Sequence, residues 1–230
     1  MVKKIKKIVG NQMKNNLLPI AKEGWNYLAL SLLSMLVFTF LDLDFLQFFA
    51  FLATLFFIFV FRNPERQNLL YQENSVVSPV DGTVVSIEEL ANEEDYAYKI
   101  EIDSSYLNVS LLRVPFASTL DHLDLYRGTR LSHMNSLSRT LNENAVLVFS
   151  NKNSNNKVKI THLLKQSFKG IDLDAIKSQN LQQGARYGLM INGITTLYLP
   201  HNFRLNVTVG AELIACESLL GYFTSENKEK

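Results

Sequence analysis

The side chains of this chain that could do chemistry are few, and most are carboxylates, arginines and hydroxyls. Asp81 stands in Ser-Pro-Val-Asp-Gly at 78–82. Pro79 presets φ and Asp-Gly is turn chemistry, so by itself Asp81 reads as a turn residue. Arg113, just ahead of Val114-Pro115, is either a surface charge or an anchor for an anionic substrate. Arg62 and Arg66 lie in Phe-Arg-Asn-Pro-Glu-Arg at 61–66. They could pair with lipid phosphate, each for about 1 kcal/mol near an anionic surface, or simply snorkel at an exit turn. Arg186 joins them as a candidate head-group or anion contact, and it opens the run Arg-Tyr-Gly-Leu-Met-Ile-Asn-Gly-Ile-Thr-Thr-Leu-Tyr-Leu-Pro. Within that run, which reads as a core strand, Gly193 marks a bulge or a place of close backbone approach.

Other chemistries find little support. His122 and His133 have no framing carboxylates, so no metal site is expected. The lone cysteine, Cys216, excludes an internal disulfide and reads as a small buried hydrophobe in Leu-Ile-Ala-Cys-Glu. There is no Gly-rich phosphate loop, nucleophile elbow or His-Glu-x-x-His, so none of the common cofactors is indicated. A formal net charge of +1 gives no bulk electrostatic case for nucleic acid.

The elements that must position these residues fall into two kinds. Trp25–Leu41 and Phe45–Phe61 are almost wholly apolar and are joined by Leu-Asp-Leu-Asp. The expectation is a transmembrane helical hairpin over 25–61, each arm at the short end of what spans ~30 Å of hydrocarbon. Six lysines in residues 1–24, with Arg62 and Arg66 after the second run, put both termini in the cytoplasm by the positive-inside rule. The expected location is therefore the inner membrane. Residues 62–222 read as short strands with turn signals and little helix, followed by a charged tail at 223–230. Val76–Ile87 predicts a hairpin about Asp81-Gly82, Leu205–Val209 and Glu212–Cys216 a final strand pair, and Leu173–Ile176 a short helix. The fold class expected is α+β, mostly β: a transmembrane hairpin followed by a compact β-rich cytoplasmic domain.

Four motifs in this order resemble the phosphatidylserine decarboxylase family, in its short membrane-anchored form. They are Phe-Arg-Asn-Pro-Glu-Arg, Ser-Pro-Val-Asp-Gly, Arg-Val-Pro at 113–115, and Arg-Tyr-Gly with Asn-Gly and Leu-Tyr-Leu-Pro between 186 and 200. Leu-Asn-Glu-Asn at 141–144 is similar to a further family landmark. The resemblance implies a proenzyme that cuts itself at a Gly-Ser bond and converts the serine to a pyruvoyl group. That ketone forms a Schiff base with the substrate amine and draws off electrons as carbon dioxide leaves. An Asp and a His assist the cut as a general-base pair.

Carried over residue by residue, the resemblance keeps the aspartate as Asp81. The histidine falls on Ser110, and the Gly-Ser pair falls on Gly193-Ile194. Isoleucine has no hydroxyl, so a pyruvoyl group is not formable at Ile194 and no cofactor is expected. Thr195 is the nearest substitute nucleophile, but a shift of one residue turns it to the opposite strand face. The reading is a phosphatidylserine decarboxylase-related membrane protein, linked to phosphatidylethanolamine metabolism, with its self-processing centre lost. The alternative is an active carboxy-lyase that uses Thr195. Expected partners are membrane phospholipid and either a second copy or an active decarboxylase.

Overall fold

The computed structural model describes residues 18–66, 74–90, 95–132, 134–151 and 156–224. The chain divides into two compact units, residues 1–65 and 66–230.

The first unit is a helical hairpin. A 3-10 turn at Lys22–Gly24 leads into α1 (Trp25–Phe40), which returns as α2 (Asp44–Val60). Asp42 makes the turn between them at φ 52, a left-handed conformation that Asp tolerates better than most residues. Between the helices Thr54 Oγ1 lies 2.9 Å from the Ala50 carbonyl and 3.1 Å from Ser31 Oγ, so its one proton has an acceptor inside an apolar interface. The second helix ends at Val60, and Asn63, held extended ahead of Pro64, returns to the segment that precedes the first helix. The Asn63 amide donates to Pro19 O at 2.7 Å, and its side chain donates to Leu18 O at 2.7 Å.

This hairpin corrects the sequence expectation. The apolar runs are helical as anticipated, but α1 has 16 residues and α2 has 17. At 1.5 Å per residue those are roughly 24 and 26 Å, short of a ~30 Å hydrocarbon core. Among the described residues no helix is long and apolar enough to cross a membrane. The transmembrane hairpin, and with it the multi-pass inner-membrane location inferred from its flanks, is therefore not supported.

The second unit is β-rich, as expected. It contains β1 (Ser75–Val77), β2 (Gly82–Glu89), β3 (Tyr98–Ser104), β4 (Leu111–Arg113), β5 (Ser118–Tyr126), α3 (Ser138–Leu141), β6 (Asn144–Asn151), β7 (Asn156–Leu164), β8 (Asp172–Leu173), β9 (Asn180–Leu181), β10 (Arg186–Leu189), β11 (Gly193–Leu199), β12 (Phe203–Leu205), β13 (Glu212–Leu213) and β14 (Leu219–Phe223). Eight strands form one sheet in the order β13-β2-β3-β11-β7-β6-β5-β9, and two three-stranded sheets run β1-β14-β12 and β4-β10-β8. Alternation along the central strands turns Ile100, Ile102, Val158, Ile160, Leu147, Phe149, Leu197 and Leu199 to one buried face. Each such side chain contributes about 1.5–3 kcal/mol when removed from water.

Several local expectations give way to longer-range pairing. The arms flanking Asp81-Gly82 do not form a hairpin: β1 pairs with β14, while β2 pairs with β3 and β13. Pro79 and Ser78 instead bond outward, accepting from the Arg113 amide and donating to Ser218 O, both at 2.8 Å. The final strand pair also separates, β12 going to β14 and β13 to β2. Leu173 sits on β8, not in a helix. The run 186–200 is two strands in two sheets, with a turn at Met190–Asn192 between them.

Candidate functional site

The turn carrying Asp81 is pressed against β3. A Cβ on Gly82 would lie 2.9 Å from Ile102 Cγ2 and closer still to the Asp103 carbonyl, so only glycine fits the crossing. The close approach brings the Asp81 carbonyl to Ser104 Oγ, which donates to it at 2.5 Å. Ser104 is in turn the Cα partner of Gly193 on the far side of β3.

The Asp81 carboxylate is buried and fully occupied. Arg66 grips both oxygens, with Nη2 at 2.6 Å from Oδ2 and Nη1 on Oδ1. The Ala215 amide donates to Oδ1 at 2.8 Å and the Val109 amide to Oδ2 at 3.4 Å. Two carboxylate oxygens offer about four lone-pair sites, so these four donors leave no acceptor for a further proton. Arg66 Nη1 also donates to the Ala215 carbonyl at 2.9 Å, which locks the guanidinium in place.

Ser110 follows Val109 directly, and its carbonyl accepts from the Met190 amide at 2.8 Å. The Met190 side chain then covers Gly193. A Cβ there would meet Met190 Cε at 2.8 Å and the Leu163 carbonyl at 2.7 Å. The structure thus brings Asp81, Ser110 and Gly193 to one locus, although they are far apart in sequence. Arg113 and Arg186 are Cα partners on β4 and β10 beside it. Arg113 is buried and donates to Gly184 O at 3.1 Å. Burial, then the neighbouring Arg186 and Arg66, lowers its pKa to about 10, so it stays cationic at neutral pH. Cys216 is buried nearby at φ 72, and burial pushes its thiol up. Arg62 belongs to the helical unit, where it caps Phe59 O at 2.9 Å and lies 4.1 Å over the Phe59 ring.

Ile194 and Thr195 face opposite ways. Ile194 looks out of the sheet, while Thr195 is fully buried within it. Thr195 meets a side chain that motif reading passed over: His162 on β7, with Nδ1 at 2.8 Å from Thr195 Oγ1 and Nε2 at 2.7 Å from the Tyr187 hydroxyl. Burial lowers His162 to about 3 and raises Tyr187, so both are neutral. The neutral ring donates through one nitrogen and accepts through the other. The alternation Val158, Ile160, His162, Leu164 was the available signal, since it turns the histidine inward. His122 instead is half-buried and bonded to Asp124 at 2.8 Å, and His133 lies outside the described residues. Glu143 of Leu-Asn-Glu-Asn is buried against Arg127 and accepts from the Ile171 amide at 3.0 Å, a structural tie.

The family model described as phosphatidylserine decarboxylase matches residues 53–221, a span that includes every residue of this locus. The chain belongs to the phosphatidylserine decarboxylase family. Among curated relatives, the phosphatidylserine decarboxylase proenzyme of Geobacter metallireducens is 33% identical over 91% of this chain and 99% of its own length. Those of Geotalea daltonii and Desulfotalea psychrophila are 32% and 30% identical, covering 92% and 88% of this chain and 100% and 96% of theirs. Against that family's self-processing pattern, Asp81 and Gly193 are present, while Ser110 and Ile194 stand where the resemblance implies a histidine and a serine.

Proposed function

We propose that this member of the family is not cut and does not decarboxylate, and that it serves phospholipid metabolism by binding a head group. The observation that carries the reading is the state of the Asp81 locus. Ile194 offers no hydroxyl, Ser110 offers no imidazole, and all four acceptor sites of Asp81 are taken by Arg66, Ala215 and Val109. A general base needs a free lone pair within reach of the proton it removes, and here neither partner of the base pair supplies one. The test is decarboxylation itself: the purified chain is incubated with vesicles containing carboxyl-labelled phosphatidylserine. No labelled carbon dioxide is expected above the protein-free control, and release that scales with protein would overturn the reading.

A second reading has one contact in its favour, the hydrogen bond between Thr195 Oγ1 and His162. A neutral imidazole on a hydroxyl is the arrangement that activates a nucleophile, and attack on the Ile194 carbonyl would lead to a ketobutyryl end on Thr195. Against it, Thr195 is fully buried and its strand is paired with Ile102 on one side and His162 on the other. The backbone to be cut is held on both sides inside a dry core. Labelled carbon dioxide lost in Thr195→Val would favour this second reading.

A further inference from the structure

One face of the helical hairpin holds an open groove of ≈ 330 Å³ between α1 and α2. Tyr27 and Phe57 line it where α1 begins and α2 ends, and Phe38 and Leu46 line it beside the Asp42 turn. Between these ends stand the small side chains of Ser31, Ser34, Ala50 and Ala53, which let another backbone come close. The two serine hydroxyls already donate to Leu28 O and Leu30 O at 3.0 and 2.9 Å, so the groove suits an apolar occupant. Its walls are uncovered, with Leu30 64% and Phe49 52% exposed. A long apolar groove with small residues along it has the shape that receives a third helix.

The chain carries the pattern of such a helix in its own sequence, ahead of Leu18. Apolar residues recur at Val2, Ile5, Val9 and Met13, the spacing of one helical face, and Lys3, Lys4, Lys7 and Lys14 fall opposite. Gly10 and the short length make a helix there marginal in water by itself, so it needs a surface to fold on. The end of the segment is fixed: the Leu18 and Pro19 carbonyls each accept from Asn63 at 2.7 Å, at the open end of the hairpin. A helix running back from Leu18 at 1.5 Å per residue sets Lys3 to Lys7 roughly 17–23 Å away. With 16 residues, α1 is roughly 24 Å long, so these lysines arrive at the turn. Asp42 and Asp44 stand exposed there, and among the described residues neither is in an ion pair. Length, polarity and charge agree on one occupant.

We propose that residues 2–17 fold as a helix into this groove, antiparallel to α1, so that the first unit closes as a three-helix bundle. Ile5 then lies beside Phe38 and Leu46, Val9 over the small residues, and Met13 beside Tyr27. The lysines near residue 5 reach Asp42 and Asp44 on their long stems.

The test is zero-length cross-linking of lysines to carboxylates by a carbodiimide, on the full chain, in an equal mixture of isotope-labelled and unlabelled protein. Peptide mass spectra should show Lys3, Lys4, Lys6 or Lys7 joined to Asp42 or Asp44, with both halves of each pair from the same isotopic chain. Val9→Asp sets a charge against the apolar groove and should lower that yield about tenfold. The same variant should speed tryptic cutting after Lys14 about tenfold, because a docked helix must open before it is cut. Absence of such pairs, or Val9→Asp unchanged in either readout, overturns the proposal. Pairs of mixed isotope would assign the groove to a second copy. Protection of Lys14 that arises only with phosphatidylglycerol vesicles would assign the segment to a membrane surface. Either of these results also overturns the proposal.

Discussion

Replacing Asp81 by asparagine isolates the role of the locus. The substitution keeps the shape but removes the charge, and it leaves an amide with two acceptors' work to do. Whichever way the amide turns, its NH2 faces an Arg66 nitrogen and a backbone donor as well, Ala215 on one side or Val109 on the other. The Arg66 side chain, 8% exposed, is left as an uncompensated buried charge. Breaking a buried pair from one side costs about 3–5 kcal/mol. A domain of this size loses roughly 2–4 °C per kcal/mol, so the melting temperature should fall by about 6–20 °C. The assay is thermal unfolding of the full chain by near-UV circular dichroism, repeated in urea to confirm an unchanged m value. The double variant Arg66→Met, Asp81→Asn should lose less than the sum of the two single changes, because no buried charge is left alone. Stability of Asp81→Asn within about 0.5 kcal/mol of the parent would refute the argument that this carboxylate is structural.

Other outcomes follow from the same geometry. Ile194→Ser restores the Gly-Ser pair but not the imidazole at 110, so the variant should remain a single chain on a denaturing gel. A fragment pair would show that Ser110 and the Arg66-bound Asp81 are no obstacle. His162, lowered to about 3 in the fold against ~6.5 unfolded, binds fewer protons folded than unfolded between those values. Stability should therefore rise with pH from about 3 to 6.5, by at most about 1.4 kcal/mol per unit. That slope should flatten in His162→Gln, as read by urea midpoints along a pH series. Gly82→Ala drives a methyl into the Asp103 carbonyl, and a loss of about 1–3 kcal/mol is expected. An unchanged urea midpoint would mean the turn can retreat from β3.

The strands of the second unit were legible where alternation is strong, as in Val158–Leu164, and the turn chemistry of Asp81-Gly82 pointed to a sharp change of direction. Which strands those turns join was not legible. A hairpin is the local solution for two β-branched arms, but β1 and β2 each find more buried partners far along the chain, and no short-range signal reports that. The run 186–200 hid a sheet change at Met190–Asn192 because both halves are equally apolar. The apolar runs of the first unit told of the helices and, to within a residue, of their ends, but helices of 16 and 17 residues fall short of a membrane crossing. In the site, the motifs named Asp81, Ser110 and Gly193, which the fold brings together. They could not show that Arg66, itself part of a motif, closes on Asp81. His162 escaped notice because a buried histidine on a strand looks like any other inward position until its partners are known.

The central claim is that the chain stays whole. Intact-mass spectrometry of the purified protein tests it directly. A single species at the full-length 26.2 kDa is the result expected. A pair of fragments dividing between Gly193 and Thr195, the smaller with a blocked amino end, would contradict it.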